Sequence, residues 1–157
     1  MKKYEITEAG PGDLDGVFRC AEAMHAELAA YDAPFEANPA RLREIMEVYI
    51  KSKTSVVYVL KAEGQVLGMV AGLIVKFDGR YIPKYGNTTG RLTELYLAPE
   101  VRRQSYAMAL MEKAEDWFRA NGIRFLDSDF VEGNLPSERL HEKLGYTPFR
   151  SIVYKEL

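Results

Sequence analysis

The residues most suited to chemistry lie in one run, Glu94-Leu95-Tyr96-Leu97-Ala98-Pro99-Glu100-Val101-Arg102-Arg103-Gln104-Ser105-Tyr106-Ala107, where a strand ends, a tight turn follows and a helix begins. A helix N-terminus leaves backbone N–H groups unpaired and carries partial positive charge, so phosphate can settle there if side chains leave room. Arg102 and Arg103 place two cations at that point in a chain of net charge −2, which suits a polyphosphate. A surface turn ahead of an amphipathic helix is the other reading of the same residues. Further on, Asp127 and Asp129 are two apart and share a face if their segment is a strand. Neighbouring carboxylates raise one proton affinity, which marks either a proton-transfer site or a solvated edge. The chain has two histidines, His25 and His141, and one cysteine, Cys20. His25 sits beside apolar helical positions and reads as structural or solvent-facing. Cys20 has no partner for an internal disulfide or a nucleophilic pair, and metal-ligand spacing is absent.

The elements that must position these residues follow from periodicity. Lys3 to Thr7 alternates as a strand, and Gly10-Pro11-Gly12-Asp13 punctuates. Leu14, Val17, Phe18, Ala21, Met24 and Leu28 then recur at helical spacing. Asn38-Pro39 is a cap-plus-proline start for a second helix carrying Leu42, Ile45, Met46 and Tyr49. Ser55–Leu60 and Val66–Val75 read as a hairpin around Ala62-Glu63-Gly64-Gln65. Asp78 to Gly90 reads as a long loop and Leu92 to Leu97 as a strand. A helix from Tyr106 stops at Asn121-Gly122, and Ile123–Phe130 is the next strand. Pro136–Leu144 is a short helix and Phe149–Tyr154 a last strand. The order β-α-α-β-β-β-α-β-α-β predicts a three-layer α/β arrangement with one mixed sheet.

Composition bounds the rest. The 157 residues hold 21 Lys+Arg against 23 Asp+Glu, with 47% hydrophobic and 28% charged residues, so one globular domain over residues 1–157 is expected. No apolar run approaches the ~20 residues of a membrane span, and no apolar segment follows Lys2-Lys3 as in a signal peptide. The slightly acidic balance gives no reason to expect nucleic acid. A cytoplasmic protein without membrane or nucleic-acid partners is the expectation.

Asn134-Leu135-Pro136-Ser137-Glu138-Arg139-Leu140-His141-Glu142-Lys143-Leu144-Gly145-Tyr146 follows N-x-x-[AS]-x-x-L-[YH]-x-K-x-G-[FY]. Leu95-Tyr96-Leu97-Ala98-Pro99-Glu100-Val101-Arg102, upstream, follows L-Y-[VL]-x-P-E-x-R. With both motifs in order, the chain resembles the GNAT superfamily of acetyl-CoA-dependent N-acetyltransferases over essentially its whole length. The resemblance implies the GNAT-type three-layer fold, with a mixed, mostly antiparallel sheet and helices on both faces. It also implies transfer of the acetyl group of acetyl-CoA, as cosubstrate and without metal, to a primary amine by direct attack in a ternary complex. A GNAT-fold module that binds acyl-CoA with weakened chemistry is the alternative. The acceptor, a small-molecule or peptide amine, is not readable, and a homodimer rests on family analogy alone.

The resemblance also implies roles for residues. The coenzyme pyrophosphate would rest on Arg102, Arg103, Gln104, Ser105, Tyr106 and Ala107, the hexad matching Q/R-x-x-G-x-G/A, with Met108 following in the helix. Ser105 stands where glycine, free of a Cβ, is usual; its hydroxyl can itself donate to phosphate. Backbone groups of Leu95, Tyr96 and Leu97 would pair with pantetheine, and an N–H there would hold the developing oxyanion. Asn134 corresponds to an asparagine near the coenzyme and is also placed to cap the helix behind it. Glu94 is the first candidate base, with an outward-facing strand carboxylate as the other reading; Asp129 is the second. His141 replaces the family's usual acid tyrosine and is either an alternative acid or a positioning residue. Tyr31, Asp32, Phe35 and Glu36, between the first two helices, fall where the family borders its acceptor site.

Overall fold

The computed structural model describes residues 1–31, 34–80 and 84–157. Asp32 and the middle of the loop expected from Asp78 lie outside the described residues. Five strands form one sheet in the order β1-β2-β3-β4-β5: β1 (Tyr4–Glu8), β2 (Ser55–Ala62), β3 (Gln65–Lys76), β4 (Thr88–Leu97) and β5 (Leu126–Asp127). The first four pair antiparallel and β5 joins β4 in parallel. Between β2 and β3 the chain reverses through Glu63 and Gly64, both at positive φ, the twist that a two-residue hairpin demands. A parallel neighbour cannot be reached by so short a turn, and helix α3 (Tyr106–Ala120) supplies the crossover from β4 to β5.

Helices α1 (Leu14–Leu28) and α2 (Pro39–Lys51) cover one face; α3 and α4 (Leu135–Lys143) cover the other. Asn38 caps α2 by accepting from the Arg41 N–H, with Pro39 in the first turn, as the dipeptide predicts. Because strand side chains alternate, β2 sends Val57 and Val59 to Val17, Ala21, Leu42 and Met46, and Leu60 to Leu110, Met111, Ala114 and Phe118. Each such burial stabilises the fold by about 1.5–3 kcal/mol. Gly90 lets Phe118 lie against the sheet: a Cβ there would fall 2.7 Å from the Phe118 ring and 2.8 Å from Leu126 Cδ1.

The three-layer α/β reading therefore holds, with three corrections. The strand expected over Ile123–Phe130 pairs only at Leu126–Asp127. The strand expected over Phe149–Tyr154 does not form, and Phe149, Ile152 and Val153 are exposed. The first strand stops where β4 becomes irregular after Leu92, and the two residues that remain are too short a template to receive the second as an antiparallel partner. Finally, β4 starts at Thr88 rather than after Gly90, since Thr88, Thr89 and Gly90 pair with Lys76, Val75 and Ile74.

Candidate active site

Strand β4 changes face partway along. Leu92 is opposite Gly72 and Glu94 is opposite Ala71, so Thr93 is an extra residue, a β-bulge. Before it Leu92 packs toward α3, and after it Leu95 and Leu97 do so. Strict alternation from Leu92 would have driven Glu94 into the apolar α3 side. The bulge turns it to the α1 side instead. Just before the bulge, Arg91 grips Asp127 through two bonds of 2.8 and 3.0 Å. Among the described residues Gly90–Leu126 and Arg91–Asp127 are the only β4–β5 rungs, and beyond them the strands part.

The open edge of β4 follows from one hydrogen bond. Ala98 N–H donates to Leu67 O on β3, so the Leu97 carbonyl, on the opposite side of that peptide, faces away from β3. By alternation Leu95 and Leu97 present their backbone groups to the gap, whereas Tyr96 turns its own to β3. The trio expected to meet pantetheine thus divides two to one. Arg102 Nε already donates to Leu97 O at 2.8 Å, its guanidinium lies 5.6 Å from the Tyr96 ring centroid, and its terminal nitrogen binds Glu27 at 2.6 Å.

Glu94 is the most unusual group in this region. Its side chain is 10% exposed, and Oε2 has no hydrogen-bond partner among the described residues. Burial, and then the nearby charge of Asp129, push its carboxyl up to about 7 from the ordinary 4.5. The outward-facing reading of Glu94 is therefore incorrect. Its neighbour is His25 on α1, with Nε2 3.7 Å from Glu94 Oε2, too far for a hydrogen bond. Burial moves His25 below its usual range, so the two groups meet as neighbours rather than as an ion pair. Sequence reasoning gave His25 no chemistry. The available signal was Val17-Ala21-His25 at i, i+4, i+8, a stripe whose first two members are fully buried. Asp129 is exposed beyond the end of β5.

The basic turn has the form of an anion cradle. Arg103 and Ser105 both adopt positive φ, 61° and 63°, a left-handed geometry that side chains resist and that helps turn successive N–H groups inward. Ser105 is the N-cap of α3 but makes no capping bond, and the first turn holds no acidic side chain. Among the described residues the leading amides at Tyr106, Ala107 and Met108 therefore lack the intrahelical and side-chain partners that would close this end. Gln104 Nε2 donates to Glu100 O at 3.3 Å and steadies the turn.

Other expected residues are employed inside the fold. Asn134 caps α4, accepting from Ser137 N–H at 3.4 Å. His141 is buried: Nδ1 donates to Ser137 O at 2.7 Å, which leaves Nε2 to accept from Ser128 Oγ at 2.8 Å. Its ring also packs on Phe130 and Tyr146. Both nitrogens are thus engaged with the chain, which suits a positioning role and not a free acid. Cys20 is buried and its thiol is pushed up to about 11 by burial, as an inert core side chain requires. Tyr31 borders the turn after β5, where a Cβ on Gly133 would lie 3.8 Å from its ring, while Phe35 and Glu36 are exposed. No helix among the described residues is long and apolar enough to cross a membrane, and none of their His, Cys, Asp or Glu clusters has the makings of a metal site.

Comparison with known proteins adds independent findings. Residues 21–146 match the family described as acetyltransferase (GNAT) family. Over 63 residues the chain is 35% identical to aminoglycoside N(6')-acetyltransferase type 1 of Serratia marcescens, a match covering 40% of this chain and 43% of that protein. The chain thus spans less than half the length of that curated relative. The solved structure of aminoglycoside N-acetyltransferase AAC(6')-Iy in complex with CoA superposes with a TM-score of 0.79 at 14% identity, covering 100% of this chain and 96% of that one. A GCN5-related N-acetyltransferase from Ralstonia eutropha JMP134 gives 0.78 at 20% identity, over 98% and 99% of the two chains. At such identities the likeness to these two structures is one of fold.

Proposed function

Since the chain belongs to the acetyltransferase (GNAT) family, we propose that it transfers the acetyl group of acetyl-CoA to a primary amine by direct attack in a ternary complex, with Glu94 as general base. The observation that carries this reading is the buried Glu94 Oε2, without a hydrogen-bond partner among the described residues, beside the gap between β4 and β5. An ammonium of pKa ~10.4 must lose a proton before it can attack, and a base that titrates near the working pH does this best. A carboxyl at about 7 meets that condition, where one at its ordinary value would be a weaker base.

The remaining parts fall into place along the gap. The turn from Arg102 to Ser105 and the leading amides of α3 through Met108 would hold the pyrophosphate. Leu95 and Leu97 offer main-chain groups to pantetheine, with Arg102 releasing or sharing the Leu97 carbonyl. An outward N–H of this edge would polarise the thioester carbonyl and stabilise charge developing on its oxygen. The thiolate, with pKa ~8.5, takes its proton from the amine nitrogen or from water and needs no dedicated acid. His141 instead fixes α4 to the segment after β5, and Asp129 raises the proton affinity of Glu94 rather than serving as the base.

For the acceptor, the proposal is a small cationic amine of the aminoglycoside class. Its support is the Serratia marcescens relative together with the acidic lining from Glu94 and Asp129. The test combines calorimetry with CoA and a thiol-release assay on acetyl-CoA, using an aminoglycoside, a polyamine, a peptide N-terminus and a lysine peptide as acceptors. Micromolar CoA binding with turnover on the aminoglycoside is expected. Turnover on a different amine would correct the acceptor alone. Binding without turnover on any amine would assign the chain to acyl-CoA binding, and absence of binding would overturn both readings.

A further inference from the structure

We propose that His25 is the outlet through which Glu94 returns its proton to solvent, a residue that acts through Glu94 and does not touch the substrate. This rests on the reading of Glu94 as general base. Transfer to an ammonium balances as R–NH3⁺ plus acetyl-CoA giving R–NH–acetyl, CoA–SH and H⁺. One proton of the ammonium ends on the thiolate sulfur and one must leave the site in every turnover. Glu94 accepts the latter, so its carboxylate is regenerated only if the proton has an exit.

The geometry supplies that exit on the α1 side. The Glu94 side chain is 10% exposed and its Oε2 has no hydrogen-bond partner among the described residues, whereas the His25 side chain, 3.7 Å away, is 32% exposed. A side-chain movement of roughly 1 Å brings Oε2 and Nε2 within hydrogen-bond reach. The proton then passes from Oε2–H to Nε2, and the imidazolium releases a proton to water. His25 is aimed at the sheet because it continues the buried Val17–Ala21 stripe of α1. The nearest charged residues along the same elements are already engaged or act on Glu94 alone. Asp129 opposes ionisation of Glu94, Arg91 is bound by Asp127, and Glu27 at the end of α1 is bound by Arg102. Burial keeps the imidazole neutral near pH 7, so a ring nitrogen is unprotonated and open, and the same burial makes the imidazolium, once formed, give its proton up to water readily.

Two measurements test this. In the first, imidazole resonances, assigned with His25→Gln, are followed against pH in the wild-type protein and in Glu94→Gln. The His25 midpoint is expected to move by about half a pH unit or more between them, as for two groups in contact; coincident curves overturn the proposal. In the second, turnover with acetyl-CoA and the most active amine of the acceptor panel is measured for His25→Ala, His25→Gln and Glu94→Gln. Both His25 variants should lose roughly 10- to 100-fold in kcat with little change in KM for acetyl-CoA. His25→Ala should regain rate in proportion to added imidazole at constant pH, and Glu94→Gln should not. A His25→Ala rate within twofold of wild type, or a low rate indifferent to imidazole, overturns the relay while leaving Glu94 as base. A Glu94→Gln rate within twofold of wild type, or no turnover with any amine, overturns the base reading and the relay with it.

Discussion

Replacing Glu94 by glutamine should make the protein less active and, as pH rises, progressively more stable relative to the wild type, by an amount that can be calculated. The Glu94 carboxyl titrates at about 7 in the fold, against 4.5 ordinarily, chiefly because burial penalises its charged form. Between those two values the folded chain holds a proton that the unfolded chain has released. Stability therefore falls as pH rises through this window, the direction expected of a carboxyl whose folded pKa is raised. At about 1.4 kcal/mol per pH unit, the cost accumulated by pH 8 is about 3 kcal/mol as an upper estimate. Glutamine carries no such charge at any pH. Its buried amide has its own desolvation cost, but that cost is the same at pH 5 and pH 8 and cancels in the difference. The assay is thermal or urea unfolding of both proteins at the two pH values. Glu94→Gln should gain on the wild type by about 2–3 kcal/mol between pH 5 and pH 8, or on the order of 5–10 °C in Tm for a chain of this size. Its acetyl transfer should fall by roughly 100-fold or more. A stability difference independent of pH would show that Glu94 is solvated in the folded protein, and the reasoning for its role as a tuned base would fail with it.

Two other substitutions probe the turn and α4. Ser105→Gly removes a Cβ from a left-handed position worth ~1–2 kcal/mol of strain and adds ~0.5–1 kcal/mol of unfolded-chain freedom. The net gain should be about 0.5 kcal/mol by urea unfolding, with CoA affinity equal or tighter by calorimetry; a loss of both would make the serine hydroxyl a phosphate ligand in its own right. His141→Phe leaves Ser128 without its acceptor and should cost about 1–3 kcal/mol in stability, with kcat within tenfold of wild type. A 100-fold loss of kcat with unchanged CoA affinity would restore His141 as the acid.

How much of this was legible in the chain itself depends on distance along it. Helix α2 announced its start in Asn38-Pro39, and the β2–β3 hairpin announced its turn in Glu63-Gly64, because caps and tight turns are decided by residues a few positions apart. The motif from Asn134 to Tyr146 and the turn at Arg102 were equally plain, and residues 21–146 do match the family they suggested. The strand expected over Phe149–Tyr154 has the right local pattern and still does not form. A strand needs a partner edge, and β5 pairs through only Leu126 and Asp127.

The sequence by itself determined the types and order of the elements from β1 to α4, and the basic turn that ends β4, since each rests on periodicity or on side chains acting on their nearest backbone. Only the tertiary structure decided that Glu94 looks toward α1. That follows from Thr93, one residue with no opposite number on β3, and the break in the apolar pattern between Leu92 and Leu95 was its sole trace in the chain. His25 likewise acquires meaning only through the packing of α1 on the sheet, which brings its imidazole to Glu94. Proton affinity is a property of surroundings: burial and a neighbouring charge set it, and both arise when distant segments meet.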